Sequence, residues 1–133
     1  MKLFLDNNLP PRLAKALSAL FTGLHEVVAL RDKFPPNISD KDWITELSRE
    51  GGWTVLSSDR RILKNPTERA ALRSSNLTAF FLTRSLANKT SIEKQMIRIL
   101  QLWDVMESTV KNVQGGAAYE LPERSLKLRQ LPY

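Results

Sequence analysis

The chain reads as an α/β protein, a mostly parallel sheet of four to five strands with helices on both faces. Three observations predict it. Short apolar runs of strand length alternate with stretches whose apolar residues recur every three to four positions. The resulting order, strand, helix, strand, helix, strand, helix, strand, is satisfied by parallel strands joined through right-handed helical crossovers. Two of the strand-like runs also lead into an acid, and open α/β sheets gather their ligands beyond the carboxyl ends of their strands.

The run Lys2–Leu5 is the first strand, stopped by Asp6, Asn7, Asn8 and then Pro10 and Pro11. The prolines suit a helix start, where a missing N–H costs little. Leu13, Leu17, Leu20 and Leu24 follow at helical spacing, so this helix covers one sheet face, and Gly23 marks its end. The segment from His25 to Leu30 reads as a second strand and is followed by a loop with Pro35 and Pro36. Ser39 caps the next helix, which carries Asp40 and Asp42 in its first turn, turns Ile44 and Leu47 inward and stops at Gly51 and Gly52. Trp53–Leu56 is the third strand, and Ser57, Ser58, Asp59, Arg60 and Arg61 follow it.

Asn65 and Pro66 open a short helix that runs to Arg73, and Thr78–Leu82 is the fourth strand. Ser91 begins the longest helix. Its Ile92, Met96, Ile99, Trp103, Met106 and Val110 alternate four and three apart, a stripe that packs against the sheet or a neighbouring helix, or else serves as a dimer or partner surface. Gly115 and Gly116 end it. Residues 1–114 thus form the domain and residues 115–133 a C-terminal tail, whose Tyr119, Leu121, Leu126, Leu128 and Leu131 suit an edge strand or a grip on a partner.

Composition bounds the function. With 133 residues the chain is of a size for one domain, and no apolar stretch approaches the roughly 20 residues needed to cross a bilayer. The opening apolar run is broken at Asp6, too early for a signal peptide, and without cysteine there are no disulfides, so a cytoplasmic location is expected. Twenty Lys and Arg against 14 Asp and Glu give +6 and a pI near 9.9. That balance suits a polyanionic partner and equally suits plain solubility.

The acids carry more. Asp6 and Asp59 leave the ends of two strands, and the segment holding Asp40 and Asp42 lies between them in sequence, so three segments converge on one pocket. Each acid also has a structural use. Asp40 and Asp42 stabilise a helix start by ~0.3–1 kcal/mol through the dipole, and Asp6 or Asp59 can form an Asx turn. Arg60 and Arg61 can be a solvated helix start, His25 is read as structural, and the tryptophans as core or interface residues.

The opening KLFLDNNLPPRLAKAL and the later ISDKDWITELSREGGWTVLSSDRRIL together resemble the PIN-like domains grouped with Mut7-C-type and VapC-type toxin ribonucleases, over roughly the first 85 residues. The resemblance lies in a strand ending in Asp followed by Asn, Leu and Pro, a Ser-Asp helix start, and a strand ending in Ser and Asp. It implies a Rossmann-like three-layer α/β/α sandwich and metal-dependent hydrolysis of RNA by a toxin of the type II toxin–antitoxin kind, neutralised by a cognate antitoxin protein. Clustered carboxylates without cysteine favour a hard ion, Mg2+ or Mn2+, over zinc or copper.

By the same resemblance Asp6, Asp40 and Asp59 are the catalytic metal ligands, with Asp42 in reserve. Asn8 orients Asp6 or a water, and Ser57 or Ser58 ties Asp59 in place. Arg60, Arg61, Lys64 and Arg84 meet RNA phosphates, where guanidinium geometry suits the ligand. One departure stands out: the place two residues beyond the strand-end Asp, often acidic in relatives, holds Arg61. One metal instead of two, a site completed by RNA oxygens, or a degenerate module that binds nucleic acid or protein without catalysis all remain open. So does a homodimer through the helix near Trp103.

Overall fold

The computed structural model describes residues 1–133. The strands are β1 (Lys2–Leu5), β2 (Glu26–Ala29), β3 (Trp53–Ser57), β4 (Thr78–Leu82), β5 (Ala118–Leu121) and β6 (Arg129–Gln130). The helices are α1 (Pro11–Leu20), α2 (Leu30–Lys33), α3 (Asp40–Glu50), α4 (Pro66–Arg73), α5 (Arg84–Asn88) and α6 (Ile92–Asn112), with a 3-10 turn at Arg60–Leu63. The six strands form one sheet in the order β2-β1-β3-β4-β5-β6, parallel except for β6. The fold is the expected three-layer α/β/α sandwich with a larger sheet, because the tail supplies a parallel interior strand as well as an edge strand.

Alternation along the strands sorts the core into two layers. Leu3, Leu5, Leu56, Phe80, Leu82 and Leu121 face α1 and α6, where Leu13, Leu17, Ile99, Leu102, Trp103 and Met106 meet them. Phe4, Val55, Ala79, Phe81 and Ala118 face α3 and α4, against Trp43, Ile44, Leu47 and Leu72. Each such leucine or phenylalanine contributes about 1.5–3 kcal/mol by leaving water. The Trp103 stripe is therefore spent inside the chain, and Trp103 Nε1 donates to His25 Nε2 at 3.2 Å.

Four expectations change. His25 and Leu30 lie outside β2, because Leu30 starts the short helix α2 with its side chain buried beside Phe4 and Trp43. Helix α1 ends at Leu20, and Phe21 rather than Leu20 or Leu24 turns inward; those two leucines are 53% and 76% exposed. Helix α6 stops at Asn112, so Gly115 and Gly116 belong to the turn into β5. Finally, α1 and α6 share a face although β1→β2 and β4→β5 step in opposite directions, so these two crossovers have opposite hands. The other face above β3 and β4 is already filled by α3 and α4.

Candidate functional site

The carboxyl ends of the strands form the site. Asp6 lies one residue past the Leu5–Leu56 pair, and its N–H donates to the Leu56 carbonyl at 3.0 Å, which carries the ladder one step beyond β1. Pleating then turns the Asp6 side chain to the α3 and α4 face, beside Ser57 on β3. Asp6 is only 6% exposed. Its Oδ1 accepts the Asn7 N–H at 2.5 Å and its Oδ2 accepts the Ser57 hydroxyl at 3.1 Å.

Asn8 reaches the same serine. Its Nδ2 lies 3.3 Å from Ser57 Oγ, and its Oδ1 accepts the Ser58 N–H at 3.2 Å. Asn8 thus joins the tips of β1 and β3 and acts on Asp6 through Ser57. The Ser57 Oγ also accepts the Asp59 N–H at 3.0 Å, so one buried hydroxyl links the Asp6 carboxylate to the Asp59 backbone. Ser58 contributes its backbone N–H.

Helix α3 delivers the third acid. The Ser39 side chain accepts the Asp42 N–H at 3.1 Å and sets the helix start. The indole of buried Trp43 donates to Asp40 Oδ1 at 2.8 Å, which turns Asp40 inward. Asp42, two positions on, points elsewhere on the helix and is exposed. The charges that act on Asp6 are Asp40 and Asp59.

Electrostatics single out Asp6. Burial is the largest cause pushing its carboxyl up to about 6; repulsion from Asp40 and Asp59 adds to this, while the Asn7 and Ser57 hydrogen bonds oppose it. Asp59 moves the other way. The Arg61 guanidinium holds it below the usual carboxylate range, with Nε at 2.9 Å from Oδ1 and Nη2 at 2.7 Å from Oδ2. Glu68, in the first turn of α4, is raised by burial and by the charges of Asp40 and Asp59. Nothing local in the sequence marks Glu68, because an acid in a helix's first turn needs no further explanation.

The basic residues divide. Arg61 is bound to Asp59, and Arg60 is paired with Glu120 on β5, a partner 60 residues away that local pattern does not reveal. Lys64 and Arg84 are exposed and make no ion pair. Arg31, the second residue of α2, donates to Asn7 Oδ1 at 3.2 Å and brings a further cation to the rim.

No three of the His, Asp and Glu side chains are placed to hold one ion in this structure. The chemistry of the donor set nevertheless fits a hard cation: every donor is a carboxylate oxygen, and the buried Asp6 carries an ionisation cost that a cation would relieve. Asp6, Asp40 and Asp59 are the residues that would hold it, with both oxygens of Asp59 now turned to Arg61.

No curated protein and no solved structure matches the chain. A family model described as PIN like domain matches residues 1–84, a span that takes in Asp6, Asp40, Asp59 and Glu68 and ends just past β4. With the acids at the carboxyl ends of a parallel sheet and that match covering more than half of its length, the chain belongs to the PIN-like domain family, whose fold is of nuclease type.

Proposed function

We propose that the protein is a metal-dependent endoribonuclease that hydrolyses RNA phosphodiester bonds, acting in the cytoplasm as a toxin held in check by an antitoxin. The observation that carries this reading is the buried Asp6 at the tip of β1, within electrostatic reach of Asp40 on α3 and of Asp59 in the turn after β3. Such a charge is costly unless a cation answers it, and the donors suit magnesium or manganese. When bound, the ion supplies an acidified water and a countercharge for the phosphoryl oxygens.

The chain's own residues supply the order. Ser57 and the Asn7 N–H hold both oxygens of Asp6, and Trp43 fixes one oxygen of Asp40, so these carboxylates are oriented before substrate arrives. Arg61, Lys64 and Arg84 stand near or beyond the strand ends, as charges for the RNA backbone. The toxin role follows the likeness of the opening strand and of the Ser39–Asp40 and Asp59 segments to toxin ribonucleases. No helix is long and apolar enough to cross a membrane.

A second reading, a binding module without catalysis, is favoured by Arg61, which occupies both oxygens of Asp59. Cleavage of a labelled RNA pool by wild type, Asp6→Asn and Arg61→Ala, with magnesium, manganese or chelator, separates the two. Wild type is expected to cut only with metal, and Asp6→Asn to lose at least about 100-fold while still binding RNA. Arg61→Ala frees Asp59 and keeps or raises the rate at saturating RNA while weakening RNA binding; its loss to folding is small, since Arg61 is 85% exposed and solvent screens such a pair. Folded, RNA-binding but inert wild type and Arg61→Ala would make the binding module the better account.

A further inference from the structure

Beyond the acids, the same row of the sheet continues to a pair of arginines. Ser57 on β3 is level with Phe81 on β4, which is level with Glu120 on β5. All three therefore lie in one lateral row with Asp6 and turn to the same face. Arg60, on the turn after β3, lies over this row and its guanidinium donates to Glu120 Oε2. Arg129, on the edge strand β6, donates to that same oxygen at 3.1 Å.

Two guanidiniums on one carboxylate oxygen leave an unbalanced positive charge. Burial pushes Glu120 up, but the bonds from Arg60 and Arg129 outweigh it and hold the carboxyl below the usual range. The glutamate side chain is 19% exposed, against 32% for Arg60 and 66% for Arg129, so the anchor is inside and the forks reach outward. Each arginine spends one Nη2 on the anchor and keeps most of its five N–H donors free. Between β1 and β5 lie three strand spacings, about 14 Å of backbone from Asp6 to Glu120.

We propose that Arg60 and Arg129, positioned by Glu120, form a phosphate subsite for single-stranded RNA, gripping the backbone beside the bond that is cut. This rests on the endoribonuclease reading and adds to it a path for the strand, from the acids across β4 to the C-terminal strands. Arg129 and Glu120 lie outside the region matched to the family and Arg60 inside it, so this chain's tail completes the subsite. A planar fork on each side of a phosphate grips it by geometry as well as by charge.

The test uses full-length protein carrying Asp6→Asn, so that RNA is bound without turnover. A labelled single-stranded RNA oligonucleotide is titrated at several salt concentrations against this protein and against versions with Arg60→Ala, Arg129→Ala, Arg129→Lys or Arg49→Ala added. Arg49 lies in the last turn of α3, away from the strand ends, and serves as the control. Arg60→Ala and Arg129→Ala are expected to weaken binding several-fold and to lower the salt slope by about 0.7 each. Arg129→Lys keeps the slope but recovers only part of the affinity, because it restores charge without the fork.

Urea midpoints check folding, and the exposed Arg129 carries the test if Arg60→Ala does not fold. Affinity and slope for Arg129→Ala equal to those of Arg49→Ala would overturn the subsite and leave the endoribonuclease reading standing. No RNA binding by the Asp6→Asn protein at any salt concentration would overturn both.

Discussion

At the scale of single residues, Asp6 decides most. The folded carboxyl titrates near 6 and the unfolded one near 3.8, so between these values the native chain binds more protons than the unfolded chain. Stability is then fully present below about pH 4, falls as pH rises through that window, and above about 6 has lost roughly 3 kcal/mol. Asparagine carries no charge. Its amide oxygen can still accept the Asn7 N–H while its amino group donates to Ser57 Oγ, so Asp6→Asn keeps both contacts. In the absence of divalent cations, Asp6→Asn is expected to melt several degrees above wild type at pH 7.5 and level with it at pH 4. Added manganese should raise the wild-type melting temperature and leave that of the mutant unchanged. Identical pH dependence of the two proteins, followed by thermal melts, would remove Asp6 as the costly buried charge. Asp6 and Asp59 were legible in the sequence because an apolar strand ending in an acid is a local signal. Glu68 and Glu120 were not: one looks like an ordinary helix-start acid, and the other meets Arg60 only once the sheet has formed.

At the scale of elements, legibility follows burial and punctuation. Helix α4 begins with Asn65 accepting the Thr67 N–H at 3.1 Å and with Pro66 at its first position, so its bounds could be read directly. Strand β4 is buried along all five residues and was equally plain. Helix α5 went unread because it is five residues long with only Leu86 buried. The sequence pattern makes the glycines after α6 a helix stop, yet their reason is close approach. A Cβ on Gly115 would come 2.3 Å from Asn76 Cα, and one on Gly116, at φ +89°, 2.5 Å from the Arg73 carbonyl oxygen. The turn into β5 rests on the backbone that leads into β4, and that contact has no flexible side chain to yield. Gly115→Ala is expected to cost about 3 kcal/mol or more, since backbone must shift. Gly23→Ala, with open space around it but φ +81°, costs about 1–2 kcal/mol. Urea midpoints at unchanged m-value measure both, and equal midpoints for the two variants would show that the Gly115 turn relaxes freely.

At the scale of the whole molecule, the question is whether residues 1–114 stand alone. Sequence pattern separated the tail because Ala118–Leu121 is short and carries a glutamate, a weak strand signal, and because pairing with β4 is a long-range event that no local window contains. In the folded chain β5 lies beside β4 and closes both core layers: Leu121 packs with Phe80 and Met106 on one side, and Ala118 and Leu131 with Phe81 and Leu72 on the other. Deleting residues 115–133 removes that cover. Leu121 and Leu131 alone contribute about 1.5–3 kcal/mol each, and β4 is left as a bare edge, apolar from Ala79 to Leu82 and ready to pair with another chain. Against a typical domain stability of about 5–15 kcal/mol, this is a large fraction. The 1–114 fragment is expected to keep much of its far-ultraviolet circular dichroism, lose its near-ultraviolet signal, bind a hydrophobic dye and aggregate at micromolar concentration. A monomeric fragment with the full-length urea midpoint would instead make the tail an appendage, and the arginine pair on Glu120 would then be an addition to a domain already complete without it.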